Sequence, residues 1–222
     1  MQEDAFAALR RQMIADIAAE TIFASGEIGK AALDPKVLEA MARVPRHDFV
    51  PAELRPYSYA NTPLPIGCDK TISQPFICAL MTDLLELSPE DRVLEIGTGL
   101  GYQAAILAGL ASTVYSVELI EPLAAQARRR LARLDNVVLR TGNGYFGWPE
   151  HAPFDKMIVT AAPELVPPPL IAQLRPGGRM VIPAGLPESQ KLMVVEKDAH
   201  GRATLREILR VRFSLLEEGD GG

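Results

Sequence analysis

Three glycines, Gly97, Gly99 and Gly101, stand two residues apart in the run EIGTGLGYQ (95–103). Side chains there would keep a ligand off the backbone, so the run reads as a place where main chain and small molecule touch. A GxGxG run alone is a weak signal. Its setting strengthens it, because a Val-Leu-Glu-Ile strand precedes it and a helix follows. About twenty residues on, the next strand ends in VYSVEL, which places Glu118 at its carboxyl end, where an acid accepts hydrogen bonds from both hydroxyls of a ribose. After the third strand, TGNGYFGW (141–148) offers Asn143 to the edge of an adenine. The second chemical stretch is TISQP (71–75), where Ser73 precedes an apolar run. Its hydroxyl either caps the following helix or faces a substrate, and on the residues alone the cap is favoured. His47, His151 and His200 are scattered and read as surface or loop positions.

The elements that must position these residues follow from periodicity. Residues 3–24 have helical spacing, with Phe6, Leu9, Met13, Ile17 and Phe23 on one face. A second helix is expected over 34–43, with Asp34 as N-cap and Pro35 at the first helical position. The stretch 44–67 holds five prolines and reads as an ordered, loop-rich segment. From residue 75 helices alternate with strands: PFICALMTDLLEL, RVLEIGTG, GYQAAILAGLA, TVYSVEL, EPLAAQARRRLARL, NVVLRTGN, FDKMIVTAA, PPPLIAQL and GGRMVIPA. QKLMVVEKD and TLREILRVRFSLL then read as two late strands joined by a short turn. This order predicts an α/β fold, a doubly wound, mostly parallel Rossmann-like sheet with antiparallel C-terminal edge strands. Ligands of such sheets bind at the carboxyl ends of the strands. Residues 1–72 are expected to form a helical and Pro-rich substrate-side extension and 73–222 the cofactor-binding domain, together one compact unit.

Bulk composition narrows the function classes. Of the 222 residues, 48% are hydrophobic and 23% charged, enough for a packed core. The net charge of −5 and the lack of a basic block beyond ARRRLAR (127–133) argue against nucleic acid as a partner. The two cysteines, Cys68 and Cys78, form neither a disulfide framework nor a zinc motif, so no metal is expected. The N-terminus lacks a secretory pattern and no run of 18 apolar residues occurs, so no membrane partner is expected. The expectation is a cytoplasmic protein, with a monomer favoured.

Two nucleoside cofactors use a glycine loop followed by an acid. Dinucleotides prefer GxGxxG, with the pyrophosphate at the helix N-terminus. Here the third glycine comes one residue early and Tyr102 follows. That spacing resembles the loop of class I S-adenosylmethionine-dependent methyltransferases. LPIG…TISQP, VLEIGTGLGYQAAILA, FDKMIVTAAPE and LIAQLRPGGRMVIPAG together resemble the protein-L-isoaspartate O-methyltransferase family, and RVPRHDFVP (43–51) resembles its segment ahead of the active site. The likeness runs from about residue 10 to about residue 213, and TISQP is its discriminating part.

The resemblance implies a repair enzyme. It would methylate the free α-carboxylate of L-isoaspartyl residues in proteins and peptides, forming an ester that closes to a succinimide. S-adenosylmethionine would be the donor and S-adenosylhomocysteine the product. Ser73 corresponds to the family's active-site serine, with Thr71, Ile72 and Gln74 beside it on the substrate side. The candidate cofactor residues are Glu95, Gly97, Thr98, Gly99, Gly101, Tyr102, Glu118, Leu119, Asn143, Gly144 and Thr160. A carboxyl group ordinarily loses its proton at about pH 4, so the substrate is already ionised at neutral pH, and the reaction asks for orientation and not for a base.

The chain departs from the family pattern in places. Asn143 stands where the family commonly has Asp, which implies altered cofactor affinity. Cys68-Asp69-Lys70 and the tail VRFSLLEEG also differ. The competing readings are a methyltransferase acting on another carboxylate or small molecule, and a cofactor-binding relative with little turnover.

Overall fold

The computed structural model describes residues 2–217. Seven strands form the main sheet in the order β5-β4-β3-β6-β7-β8-β9. These are β3 (Arg92–Ile96), β4 (Thr113–Glu118), β5 (Val137–Thr141), β6 (Phe154–Val159), β7 (Leu174–Ala184), β8 (Lys191–Lys197) and β9 (Ala203–Arg210). β5, β4, β3, β6 and β7 run parallel, whereas β8 and β9 pair antiparallel. The order reverses beside β3, where β4 lies on one side and β6 on the other, and this switch point opens a crevice at the strand ends.

The two faces carry different cores. Val93, Val114, Ile158 and Val181 pack with helices α4 (Pro75–Leu84), α5 (Tyr102–Ala108) and α6 (Glu121–Leu131). Leu94, Ile96, Met157 and Ile182 pack on the other face with Trp148 and α7 (Pro168–Gln173). Alternate residues of one buried strand thus serve both layers, which is why these strands read as continuous apolar runs.

The N-terminal segment joins the first core. Met13 and Ile17 of α1 (Gln2–Phe23) and Val37 and Met41 of α3 (Pro35–Arg43) belong to the same cluster as α4 and α5. Asp34 caps α3 as expected, accepting from the Lys36 N–H at 2.9 Å. The α1 stripe is narrower than its sequence suggests. Leu9 is 40% exposed and Phe23 is 91% exposed. A helix turns about 100° per residue, which leaves Phe23 roughly 100° from the line through Met13 and Ile17.

The Pro-rich segment contains more structure than a loop. It forms two 3-10 turns, Arg46–Phe49 and Ala52–Tyr57, and then β1 (Leu64–Gly67). β1 pairs antiparallel with β2 (Lys70–Ile72), with Gly67 opposite Lys70. Cys68 and Asp69 are the two turn residues, with φ of 53° and 56°. Two positive φ values in a two-residue connection mark the turn whose twist matches the strands it joins. The unusual Cys68-Asp69-Lys70 run is therefore a hairpin tip. The second late strand also ends early, at Arg210, and the chain leaves the sheet there as a tail.

Candidate active site

The backbone of the glycine loop is shaped by what lies against it. Gly97 has φ of 93°, and a Cβ there would meet Thr160 Oγ1 at 2.4 Å. That hydroxyl donates to the Gly97 carbonyl at 2.7 Å, so the end of β6 holds the loop in place. Gly144 is equally constrained from below, because a Cβ would meet Ile96 Cγ2 at 2.3 Å.

Glu118 ends β4 at the rim of this loop. Its Oε2 accepts from the Gly99 N–H at 2.7 Å and its Oε1 from the Ile120 N–H at 3.0 Å. Burial pushes its carboxyl above the usual range, and these backbone donors pull it back down. Each oxygen keeps a second lone pair, free to accept from a hydroxyl.

A pocket opens over these residues. Ile96, Gly97, Gly99, Glu118, Leu119, Gly144 and Thr160 line it, with apolar Val117, Ile120 and Leu123. Lys70 and Thr71 of the hairpin and Ser214 to Glu217 of the tail complete its walls. Lys70 Nζ is paired with Glu217, so hairpin and tail are joined across it. An apolar slot beside a buried acid and bare glycine backbone suits a nucleoside.

Other candidates sit off this lining. Glu95 is fully buried beneath the loop, where Ser116 Oγ donates to its Oε2 and Thr98 Oγ1 bonds Ser116 Oγ at 2.5 Å. Burial raises its carboxyl to about 8, so it is mainly neutral at pH 7. Gly101, with φ of 99°, is the N-cap of α5. Thr98 and Tyr102 line a smaller cavity with Ile72, Ser73, Cys78 and Gln103. The Asn143 side chain accepts from the Tyr145 N–H at 2.9 Å and caps a 3-10 turn, while neighbouring Gly144 reaches the pocket.

A second groove is lined by Pro63, Thr71, Ser73, Gln74, Ile77, Thr160 and residues 210–214. Thr71 and Thr160 border both this groove and the glycine-loop pocket. Ser73 does not cap α4. The N-cap position belongs to Gln74, which makes no side-chain cap bond, and Asn61 Oδ1 accepts from the Phe76 N–H at 3.0 Å instead. A residue from the preceding loop thus does the work that leaves the serine hydroxyl unspent. Gln74 itself is turned toward Glu20, to which its Nε2 donates at 3.1 Å.

Arg46 is the residue that sequence reasoning passed over. Its side chain is 0% exposed, yet no carboxylate bonds it among the described residues. Its Nη2 donates to the Ser73 carbonyl at 2.7 Å and its Nε to the Ser58 carbonyl at 2.8 Å. The guanidinium lies over the Tyr102 ring, 4.7 Å from its centroid. A planar fork fixes two carbonyls at once, so Arg46 sets the backbone that carries the serine. RVPRHDFVP holds this arginine, but nothing in the run says which carbonyls it meets.

The parallel sheet, its switch point, the glycine loop and the acid at the end of β4 define a class I S-adenosylmethionine-dependent methyltransferase. The protein-L-isoaspartate(D-aspartate) O-methyltransferase family matches residues 20–220, and the chain belongs to that family. Over 224 residues it is 66% identical to protein-L-isoaspartate O-methyltransferase 1 of Polaromonas sp. strain JS666, covering 100% of this chain and 95% of that one. It is 57% identical to protein-L-isoaspartate O-methyltransferase 2 of Syntrophobacter fumaroxidans, covering 98% of this chain and 89% of that one. A solved protein-L-isoaspartate O-methyltransferase superposes with a TM-score of 0.78 at 28% identity, over 96% of this chain and 66% of that one. A structure from Plasmodium falciparum, in complex with S-adenosyl-L-homocysteine, shares the fold with a TM-score of 0.75 at 23% identity, over 91% of this chain and 97% of that one. The chain is thus a methyltransferase that uses S-adenosylmethionine on isoaspartyl residues of proteins, the first step of their repair.

Proposed function

We propose that Ser73 receives the free α-carboxylate of an L-isoaspartyl residue lying in the groove. The observation that carries this reading is the shared border of groove and nucleoside pocket at Thr71 and Thr160. Methyl transfer needs two ligands to meet, and here two recesses do. S-adenosylmethionine, when bound, supplies an electrophilic methyl group on a sulfonium. Glu118, with Gly97, Gly99, Leu119 and Gly144, would hold its nucleoside portion. Ser73 donates to one carboxylate oxygen and leaves the other free to attack. Arg46 keeps the Ser73 carbonyl turned inward, which aims the side chain at the groove. Thr71 is the neighbouring hydroxyl, and Ile72, at the end of β2, is buried.

Glu95 beneath the loop, Thr98 and Gly101 within it and Tyr102 at the start of α5 hold its shape. The extension up to residue 72 gives Pro63 and Thr71 to the groove and Lys70 and Thr71 to the pocket, and the later part of the chain supplies most of both. Asn143 alters cofactor affinity through the turn that presents Gly144. The enzyme works as a cytoplasmic monomer on damaged proteins and peptides, with neither nucleic acid nor membrane as partner. The acidic charge balance and the two unpaired cysteines support that setting.

The test uses labelled S-adenosylmethionine with one peptide in isoaspartyl and normal aspartyl versions. Base-labile label in the isoaspartyl peptide alone is the expected result. Equal labelling of both, or cofactor binding without label, overturns the reading.

A further inference from the structure

The groove has one wall that the methyl-transfer reading does not explain. Arg210, Val211, Arg212 and Phe213 run along it, facing the side that carries Ser73 and Gln74. This stretch is firmly placed. Val211 N–H donates to the Gln190 carbonyl at 3.1 Å, and Phe213 N–H donates to Gln190 Oε1 at 2.6 Å. Gln190 is 2% exposed and returns a bond from its Nε2 to the Phe213 carbonyl. A little further on, Ala162 N–H donates to the Ser214 carbonyl at 2.8 Å.

Both arginine side chains are exposed, and neither has a hydrogen bond or ion pair among the described residues. Arg128, Arg140, Arg175, Arg179 and Arg202 are each paired with an acid, and among the arginines left without one in the described residues these two are the pair that line the groove. The groove lining contains no carboxylate to answer them. Glu20, the acid that reaches Gln74 at its edge, is turned toward Gln74 and Asn61. Lys191, opposite Arg210 in the sheet, is answered by Glu207. In a chain of net charge −5, the groove therefore carries two positive charges that no acid answers among the described residues.

We propose that Arg210 and Arg212 make the enzyme selective for isoaspartyl sites with Asp or Glu close by in sequence, and against sites flanked by Lys. The inference rests on the groove being the peptide site. A strand advances about 3.3 Å per residue, so a long arginine side chain reaches residues roughly two positions from the reacting one. Exposed charges of this kind act on capture, through KM and kcat/KM, and are screened by salt.

The experiment compares three isoaspartyl peptides that differ only in having Glu, Gln or Lys two positions to either side. At low salt the wild-type chain should show kcat/KM for the Glu peptide roughly fivefold or more above that for the Lys peptide. The difference should lie in KM and fall to within about twofold at about 0.5 M salt. The double variant Arg210→Gln/Arg212→Gln should lose the ratio, and Arg210→Lys/Arg212→Lys should keep it. Equal kcat/KM for the Glu and Lys peptides, or a ratio that survives in the Gln variant, overturns the proposal while the Gln peptide still reports the basic reaction. If none of the three peptides is methylated, the peptide-groove reading falls, and the selectivity with it.

Discussion

The nucleoside pocket and the peptide groove share two threonines but are built in opposite ways. The floor of the pocket grows from the end of β3 with its glycine loop and from the ends of β4 and β6 beside it, while the hairpin and the tail close its walls. Its main contacts are backbone, and its shape is enforced by glycines pressed against Thr160 and Ile96. The groove is assembled from a hairpin, a helix start and a tail well over a hundred residues apart. Ser73 is set by Arg46 and Asn61 and the tail by Gln190, and of these only Arg46 lies in a segment that resembled the family. Backbone pockets tolerate few changes at their glycines, whereas assembled grooves can change their side chains and keep their frame.

That contrast can be broken at the pocket first. Gly97→Ala should have the largest effect, because a Cβ would meet Thr160 Oγ1 and the residue would be held at φ of 93°. Strain of about 1–3 kcal/mol is expected, read by calorimetry as cofactor affinity lowered tenfold or more. Adding Thr160→Ala should relieve the clash but not the backbone strain, so recovery should be partial. Full recovery would show that only the contact mattered.

Ser73→Ala probes the groove alone. Loss of one charge-assisted hydrogen bond, about 1.5–3 kcal/mol, should lower kcat by roughly tenfold to a hundredfold with cofactor Kd unchanged. A matched fall in cofactor affinity would merge the two sites that the comparison separates.

Glu95→Gln tests the layer beneath the loop. A carboxyl raised to about 8 by burial stabilises the fold most below its unfolded value near 4.5, and that contribution is lost as pH rises through 8. The amide cannot ionise, so the melting temperature of the variant should gain on wild type between about pH 5 and 8.5. Parallel melting curves across that range would show that Glu95 is ionised throughout.

The smallest effect should come from Lys70→Gln. Its pairing with Glu217 is partly exposed, so its removal should change cofactor affinity by no more than about 1 kcal/mol and less at high salt. A larger loss, insensitive to salt, would make the hairpin–tail link part of the pocket's essential frame.

Most of the sheet was legible because buried parallel strands announce themselves as short apolar runs between helices. β3 to β6, β8 and the helices between them fall within the expected segments, while β7 begins three residues early, at Leu174, where the expected helix was to end. Less legible was the segment 44–72. Its prolines suggested a loop, but two 3-10 turns and a hairpin emerge because the backbone there finds partners across the turn. Phe23 shows the opposite failure, since an apolar residue near a helical spacing still lies off the buried face. Gly97, Gly99, Glu118 and Gly144 line one pocket, while Asn143 is occupied as a turn cap.

What the sequence by itself determined is the local chemistry. Strand, glycine loop, helix and strand-end acid are close in the chain, so short-range geometry fixes the glycine-loop floor of the pocket, while its walls come from the distant hairpin and tail. Tertiary structure decided which polar groups remain free. Ser73 keeps its hydroxyl because Asn61 takes over the helix cap, and Arg46 turns its carbonyl inward from a separate loop. Arg210, at the end of β9, and Arg212, in the tail that Gln190 anchors, line the groove with no ion pair among the described residues. Whether a hydroxyl or a charge is spent or available depends on partners distant in sequence, and only the packed chain brings those partners together.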